Sequence, residues 1–529
     1  MSLLLICTGI FFRVSNYLYD RSLWLDEAWV ARDVLTRSFK EILLNDLSRV
    51  DLPAVPPAGF LLVEKLSVTA FGNSEMALRL FPFLCGVLSV ILYWVLLKKW
   101  AQRPAALMAL SFFVFADSLI YYSAECKQYS TEVLVAIALY LSAGYFQNKP
   151  ATFARVALLS VIGTAGMFVS HTAIFILGGI GLTQAAYLLK IQERRHNAGY
   201  FFAYVSWAVG FILIYFAYLK VMVSENSPMA QFCLRASAPH FMPSFNPFLP
   251  ESGKWLWEST AGFLAHPLGL AFPILALGMC LLGAITMFKT DKRKLFMLVI
   301  PVILMLAASG LNKFPFYGRF LLCLVPAAIL FISEGISWIM RKGKPGFGLG
   351  LAIFFVLMWL PLENSLSNGL KPQTREEMRP LVDFLKANHL PGDVVFMNNS
   401  AQQAYWYYLA YYHLDPAPAK QGYFLDVSES NSIPLLLNTL GPQGKMFSLI
   451  HVHRKTSSKA PENISKQRTW LLLSHLITAE TEQFITACLN DRGKMLLALK
   501  EPGASLYLYE LHEPIGTVSE AAAHYKLID

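Results

Sequence analysis

The chain of 529 residues is 55% hydrophobic with a mean hydropathy of +0.45, more than a water-facing surface tolerates, so a bilayer is the solvent for most of it. Its net charge of +9 does not mark a nucleic-acid binder, because the basic residues fall in short groups between apolar runs instead of on one face. The seven cysteines are scattered singly, with Cys7, Cys85, Cys280 and Cys323 inside apolar runs, which excludes a disulfide framework and a CxxC metal site.

The opening MSLLLICTGIFFRV has neither a basic n-region nor a small-residue cleavage pattern. It reads as a retained first span, short and clipped at its start, and not as a signal peptide. Apolar runs near 2–19, 76–97, 104–122, 129–146, 153–170, 171–190, 200–222, 268–288, 295–310, 317–340 and 347–364 predict about eleven transmembrane helices. Between them lie Lys98, Lys99 and Arg103; Lys149 and Arg155; Lys190, Arg194 and Arg195; Lys289, Lys292, Arg293 and Lys294; and Arg341, Lys342 and Lys344. These groups occupy alternate loops. The positive-inside rule then puts the N-terminus in the cytoplasm and 20–75, 117–128, 223–267, 311–316 and 365–529 outside.

In the first outer loop Val30, Val34, Leu35, Phe39, Ile42 and Leu43 recur at helical spacing, with Arg32, Asp33, Arg37, Lys40 and Glu41 opposite. This predicts a helix lying on the membrane surface, with Trp24, Trp29, Tyr17 and Tyr19 at headgroup depth. The loop 223–267, with PHFMPSFNPFLPESGKWLW, reads as an ordered flap or lid. From about 365 the composition becomes that of a soluble domain. TREEMRPLVDFLKANHLPGD predicts an amphipathic helix, VVFM a strand, AYWYYLAYY a helix, WLLLSH a strand, 478–490 a helix, and GKMLLAL and SLYLYEL further strands. The fold class is a polytopic α-helical membrane protein, residues 1–364, followed by a C-terminal extracytoplasmic α/β domain, 365–529. No GxGxxG or GxxxxGK[ST] phosphate loop is present.

Ionisable groups at the outer membrane edge are costly and ask for a reason. Asp26 and Glu27, in SLWLDEAW, are either a helix cap with an acidic first turn or catalytic carboxylates. Glu125, Gln128 and Glu132 in YYSAECKQYSTE share a helical face beside Lys127, either a solvated helix start or a site. Lys313 and Arg319, around FPFYGRFLL, either snorkel to headgroups or bind a phosphate entering from the lipid. His171, in VSHTA, is a packing residue or a site residue. His451 and His453 share a strand face and could ligate a metal, though no third ligand is evident.

One reaction uses these groups together: transfer of a sugar from a lipid-linked phosphate donor to a hydroxyl or amine. The phosphate leaves as a stable anion and needs cations more than a proton donor. A single carboxylate then suffices, taking the acceptor's proton as the new bond forms. Asp26 is the candidate base, and outer-face Arg and Lys the donor-phosphate ligands.

The residues resemble the GT-C superfamily of polyprenyl-phosphate-sugar transferases, in its protein O-mannosyltransferase and lipid A aminoarabinose transferase group. The resemblance rests on Arg13 with WLDEA at 24–28; VPPAGFLLVEKL at 55–66, where Val55 replaces the usual His; GNSEMALRLFPFLCGVLSV at 72–90, which holds Arg79, with Phe83 in place of a small residue; YSAECKQYS at 122–130, with Lys127 replacing Arg; and YGRFLLCLVPAAIL at 317–330. It implies the GT-C fold, dependence on a dolichyl- or undecaprenyl-phosphate sugar, and a lipid, glycan or protein acceptor. It makes Asp26 the catalytic base and Glu27 the neighbour that orients the acceptor or a water. Arg13, Arg79, Glu125, Lys127, His171, Lys313 and Arg319 form the expected donor-phosphate and substrate-binding set. A divalent cation, Mg or Mn, is left open as cofactor, and a bacterial inner membrane is the expected location, with no nucleic-acid partner. The rival readings are a lipid-linked saccharide carrier or flippase, and a noncatalytic scaffold of envelope glycan assembly. Carriers tend to place charge at the midplane and to show repeated halves, neither of which is visible here.

Overall fold

The computed structural model describes residues 1–44, 56–147, 149–188, 198–219, 237–246, 249–390, 393–398, 400–408, 439–440, 446–447, 449–452, 467–475, 479–490 and 493–511. Lys190, Arg194, Arg195, Val55, His453 and much of the loop 223–267 lie outside them. The chain forms two compact units, each discontinuous in sequence. The larger holds Met1–Asp20, Arg37–Ala70 and Met76–Gln373, and the smaller Arg21–Thr36, Phe71–Glu75 and Thr374–Asp529.

The larger unit is helical. Glu75–Trp100, Tyr129–Phe146, Tyr200–Ala217, Pro273–Thr290, Lys292–Gly310, Gly318–Met340 and Gly343–Gly369 are seven described helices long and apolar enough to cross a bilayer. Arg103–Val114 and Asp117–Ala124, bent by 57° at a short break, make an eighth if they count as one span. Ser2–Leu18, Phe153–Val169 and Ala173–Leu188 are apolar but shorter. The expectation of about eleven therefore exceeds what length alone supports among the described residues. At 16 or 17 residues, these three reach roughly 25 Å against a hydrocarbon core of about 30 Å.

Gly318–Met340 is the most enclosed of the spans, with 89% of its apolar window buried. It starts as a 3-10 turn, Gly318–Leu324, and continues as an α-helix from Val325. Its close neighbour is Pro273–Thr290. A Cβ on Gly283 would strike the Phe331 carbonyl, and one on Gly335 the Met279 carbonyl, so two glycines let these backbones touch.

The smaller unit carries a five-stranded sheet in the order β4-β1-β5-β7-β6. Its strands are β1 (Val394–Asn398), β4 (Leu449–Val452), β5 (Gln467–Ser474), β6 (Gly493–Glu501) and β7 (Ala504–Leu511); β2 (Thr439–Leu440) and β3 (Met446–Phe447) pair separately. Only β1 and β5 run parallel. Strand β7 is buried almost throughout, whereas β6, at the edge, alternates along most of its length. Leu471, Leu473, Ile485, Leu489, Tyr507, Tyr509 and Leu511 are among its core residues. The amphipathic helix expected after residue 374 forms at Met378–Asn388 and buries Met378, Leu381, Val382 and Leu385, one stripe at i, i+3, i+4 and i+7.

The helix expected to lie on the membrane with a solvated polar face is Leu25–Thr36, followed by Phe39–Leu43. The polar face of Leu25–Thr36 is not solvated, although Lys40 on the second helix is exposed. Asp33 is buried, and Arg32 donates to Gln403 Oε1 at 3.0 Å with its guanidinium 4.5 Å from the Trp406 ring centre. The Ala401–Trp406 helix covers the face that periodicity assigned to water.

Candidate active site

The acidic pair opens the Leu25–Thr36 helix. The Trp24 carbonyl accepts from the backbone N–H groups of Glu27 and Ala28, both at 2.9 Å, and so places Asp26 and Glu27 in the first turn. Carboxylates there meet the positive end of the helix dipole. Glu27 is fully buried and Asp26 half-buried. The N–H of Leu25, which a helix start leaves without an internal partner, donates to Glu376 Oε2 at 3.0 Å.

Glu376 reaches further. The Ser474 hydroxyl donates to its Oε2 at 3.0 Å, and its Oε1 lies 2.5 Å from His475 Nδ1. Three segments meet at this buried carboxylate: the helix start at Leu25, the stretch Arg375–Glu377 and the end of β5. The Arg375 guanidinium stacks 4.2 Å from the Trp24 ring centre, and the His475 ring tilts toward Trp24 at 6.3 Å. The bond to Glu376 and the negative charges of Glu376 and Asp26 raise the pKa of His475 above its ordinary value, against burial and Arg375. A second clasp holds the same loop. Ser22 donates to Glu377 Oε2 at 2.7 Å, Tyr408 donates to Glu75 Oε1 at 2.9 Å, and the Tyr408 hydroxyl accepts from Leu23 N–H at 2.7 Å.

Sequence reasoning missed Glu376 and His475. The Glu-Glu pair was absorbed into the amphipathic helix, which begins only at Met378. The signal that could have found them is a pair of carboxylates just ahead of a helix start and a Ser-His that closes a strand.

In the larger unit, Glu125 and Lys127 sit in a tight turn between the 3-10 helix Tyr122–Ala124 and the Tyr129–Phe146 helix. Lys127 N–H donates to the Glu125 carbonyl at 2.6 Å, and both side chains are buried. Neither is the solvated helix start of the plainer reading. Tyr129, two residues on, carries the Arg319 guanidinium 5.4 Å from its ring centre, with Phe320 on that cation at 5.8 Å. The structure thus places Arg319 on Tyr129, which opens the helix after the Glu125–Lys127 turn. An aromatic chain, Phe175 to Phe314 to Phe320 to Tyr129 to Tyr122, runs from the helix after His171 past Lys313 to the same place. Lys313 is exposed. The Glu132 carboxylate accepts from the backbone of His171 and Thr172 and from the Thr172 hydroxyl, which fastens the His171 turn to the Tyr129–Phe146 helix.

Arg13 and Arg79 are placed differently. Arg13 is buried, donates to Gly9 O at 2.9 Å and lines a small cavity with Ser89, Tyr122, Tyr129 and Ser130. Arg79, also buried, joins Asp20 and Glu64 around Tyr17. Among the described residues no three His, Cys, Asp or Glu side chains gather as a metal site requires. His451 lies on β4.

Comparison with known proteins gives the following. ArnT from Cupriavidus metallidurans in the apo state is 12% identical over 96% of this chain and 97% of that chain, with a TM-score of 0.48. ArnT from the same organism bound to undecaprenyl phosphate is 13% identical over the same shares, with a TM-score of 0.45. The apo oligosaccharyltransferase of Archaeoglobus fulgidus is 10% identical over 74% of this chain and 59% of that chain, with a TM-score of 0.46. No curated protein sequence matches the chain. A family model does match, that of the dolichyl-phosphate-mannose-protein mannosyltransferases, over residues 56–162. The sequence signature of that family therefore runs through the stretch that holds Arg79, Glu125 and Lys127.

Proposed function

We propose that the protein is an integral membrane glycosyltransferase that moves a sugar from a polyprenyl-phosphate donor to a hydroxyl or amine acceptor on the outer face of the membrane. The family match over residues 56–162 carries this reading, because the matched family is described by its lipid-phosphate sugar donor. Supporting it, Arg13, Glu27, Arg79, Glu125 and Lys127 are buried and not left on solvated faces, although Lys313 is exposed. The topology that goes with it has about eleven spans, a cytoplasmic N-terminus and the sheet-bearing unit outside, as the alternating basic loops require.

The roles are assigned residue by residue. The acceptor's oxygen or nitrogen attacks the anomeric carbon, the bond from that carbon to the phosphate oxygen breaks, and its electron pair leaves with the polyprenyl phosphate. The acceptor's proton passes to the Asp26 carboxylate, with Glu27 beside it to orient the acceptor. An aspartate of pKa about 4 takes that proton only as the new bond forms, so its position within hydrogen-bond reach matters more than its basicity. Lys127 and Arg319 hold the donor phosphate, one as a point charge and the other as a planar fork already stacked on Tyr129. Arg13, Arg79, Glu125, His171 and Lys313 complete the substrate-binding set. A magnesium or manganese ion would add a further cation for the phosphate. The described residues offer no group of ligands for it, so no step is drawn through it.

The test is transfer from a polyprenyl-phosphate sugar in proteoliposomes with Asp26→Asn. Loss of a positioned base costs about 10²- to 10⁴-fold. Undiminished turnover of Asp26→Asn would overturn this reading.

A further inference from the structure

The Glu376–His475 pair is part of no motif by which the chain was read, yet it stands beside the carboxylate assigned the central chemical role. We propose that His475, gripped by Glu376, is a positioning residue for Asp26: the Glu376–His475 pair fixes the helix start that carries the Asp26 carboxylate and so holds it toward the acceptor. The inference rests on the reading of Asp26 as base.

Three observations carry it. First, Glu376 binds both the start of the Leu25–Thr36 helix, at Leu25 N–H, and the His475 ring, at Nδ1, with 3.0 and 2.5 Å contacts. One buried carboxylate thereby fixes the imidazole to the turn that bears Asp26. A hydrogen bond at Nδ1 also sets the ring's orientation and leaves Nε2 for other work. Second, His475 adopts φ +54°, a left-handed backbone that non-glycine residues adopt only when something holds them there. The holding contact is the hairpin turn between β6 and β7, where the Gly503 carbonyl accepts from His475 N–H at 3.2 Å. Strain of this kind collects at functional sites. Third, the charges that face the ring are Glu376 and Asp26, which favour the cation, and Arg375, which opposes it. Arg375 is itself stacked on Trp24. The bond to Glu376 and these two negative charges hold the ring's pKa above its ordinary value, so the cation that grips Glu376 is favoured.

The chemistry needs no new reactant. The acceptor's proton still goes to Asp26 and the leaving electron pair to the phosphate. The imidazolium only tightens the Glu376 clasp that seats the turn bearing Asp26. The clasp is tightest with His475 protonated, so kcat/KM falls on the alkaline side as His475 loses its proton.

The experiment measures kcat/KM against pH for the full chain in proteoliposomes, with a polyprenyl-phosphate sugar as donor. The wild type is compared with His475→Asn, Glu376→Gln and Asp26→Asn. Asparagine tolerates positive φ, so His475→Asn keeps the backbone while removing the titrating group. It is expected to lower kcat/KM about tenfold, by loosening the turn that aims Asp26, and to abolish the alkaline limb. Glu376→Gln is expected to move that limb to lower pH. Histidine-selective NMR of the solubilised protein, with His475→Asn assigning the resonance, gives the imidazole titration directly. It should coincide with the kinetic limb. An unchanged pH profile in a folded His475→Asn, while Asp26→Asn remains inactive, would overturn the positioning role and leave Asp26 as base. Full activity of Asp26→Asn would overturn the underlying reading instead.

Discussion

Arg379 closes on Glu75 across 304 residues of chain: its Nη2 lies 2.5 Å and its Nε 2.8 Å from Glu75 Oε1, and the Glu75 carboxylate is completely buried. Glu75 is the first residue of the Glu75–Trp100 helix, so one ion pair sets where that helix begins within the smaller unit. Removing one member of a buried pair leaves an uncompensated charge. Arg379→Ala is expected to destabilise the smaller unit by about 3 kcal/mol, and Arg379→Lys by less. Chemical denaturation in detergent, followed by tryptophan fluorescence, measures both. An Arg379→Ala variant as stable as wild type would show that Tyr408 alone satisfies Glu75.

Arg319 reads differently, because its cation is stacked on Tyr129 and Phe320. An ammonium can neither stack so well nor form a fork with a phosphate. For Arg319→Lys the expected change is a rise in KM for the lipid-phosphate donor of about tenfold, with kcat altered little. A loss confined to kcat would place Arg319 in stabilisation of the transition state instead of donor binding.

The Glu376–His475 contact also has a thermodynamic consequence. A histidine whose folded-state pKa is raised contributes stability that is fully present below its unfolded value and is lost as pH rises through the folded value. The apparent melting temperature of the wild type should therefore fall across a window that starts near pH 6.5 and ends above it. His475→Asn should show a flatter profile there. Parallel profiles for the two proteins would mean that the imidazole adds nothing to stability.

Gly503 is the residue behind that geometry. Its φ is +69°, and a Cβ on it would strike the Arg375 carbonyl. Glu377 N–H also donates to the neighbouring Pro502 carbonyl at 2.8 Å. Gly503→Ala is expected to cost about 1–3 kcal/mol and to reduce transfer by displacing the Arg375–Glu377 stretch. The comparison that isolates the effect is Gly503→Ala against an alanine in the exposed part of β6, such as Lys494→Ala. Equal melting temperatures for the two would refute it.

Much of this fold was legible because local pattern and tertiary role agree. The stripe Met378, Leu381, Val382 and Leu385 specifies a helix packed on one side, and the apolar run GKMLLAL reads as the strand that forms at Gly493–Glu501, though its unbroken apolar stretch does not show that the strand lies at the sheet edge. Periodicity misled where a second element covers a polar face. Asp33 looked solvated and is buried, and its neighbour Arg32 bonds to Gln403 of the Ala401–Trp406 helix, a partner hundreds of residues away. The same limit hid the surroundings of Asp26. Glu376 and His475 are 99 residues apart, and no spacing rule joins them to each other or to the first loop.

The distance along the chain from Leu25 to Glu376 is 351 residues. During synthesis at about 5–20 residues per second, the first loop precedes its partner by roughly 20 to 70 s. Throughout that interval the membrane-embedded part of the chain exists without the contact that seats Asp26. A segment made late is therefore the one that completes the setting of a loop made early. A chain that stops before residue 376 holds the charged turns of the larger unit but lacks the groups that seat its proposed base.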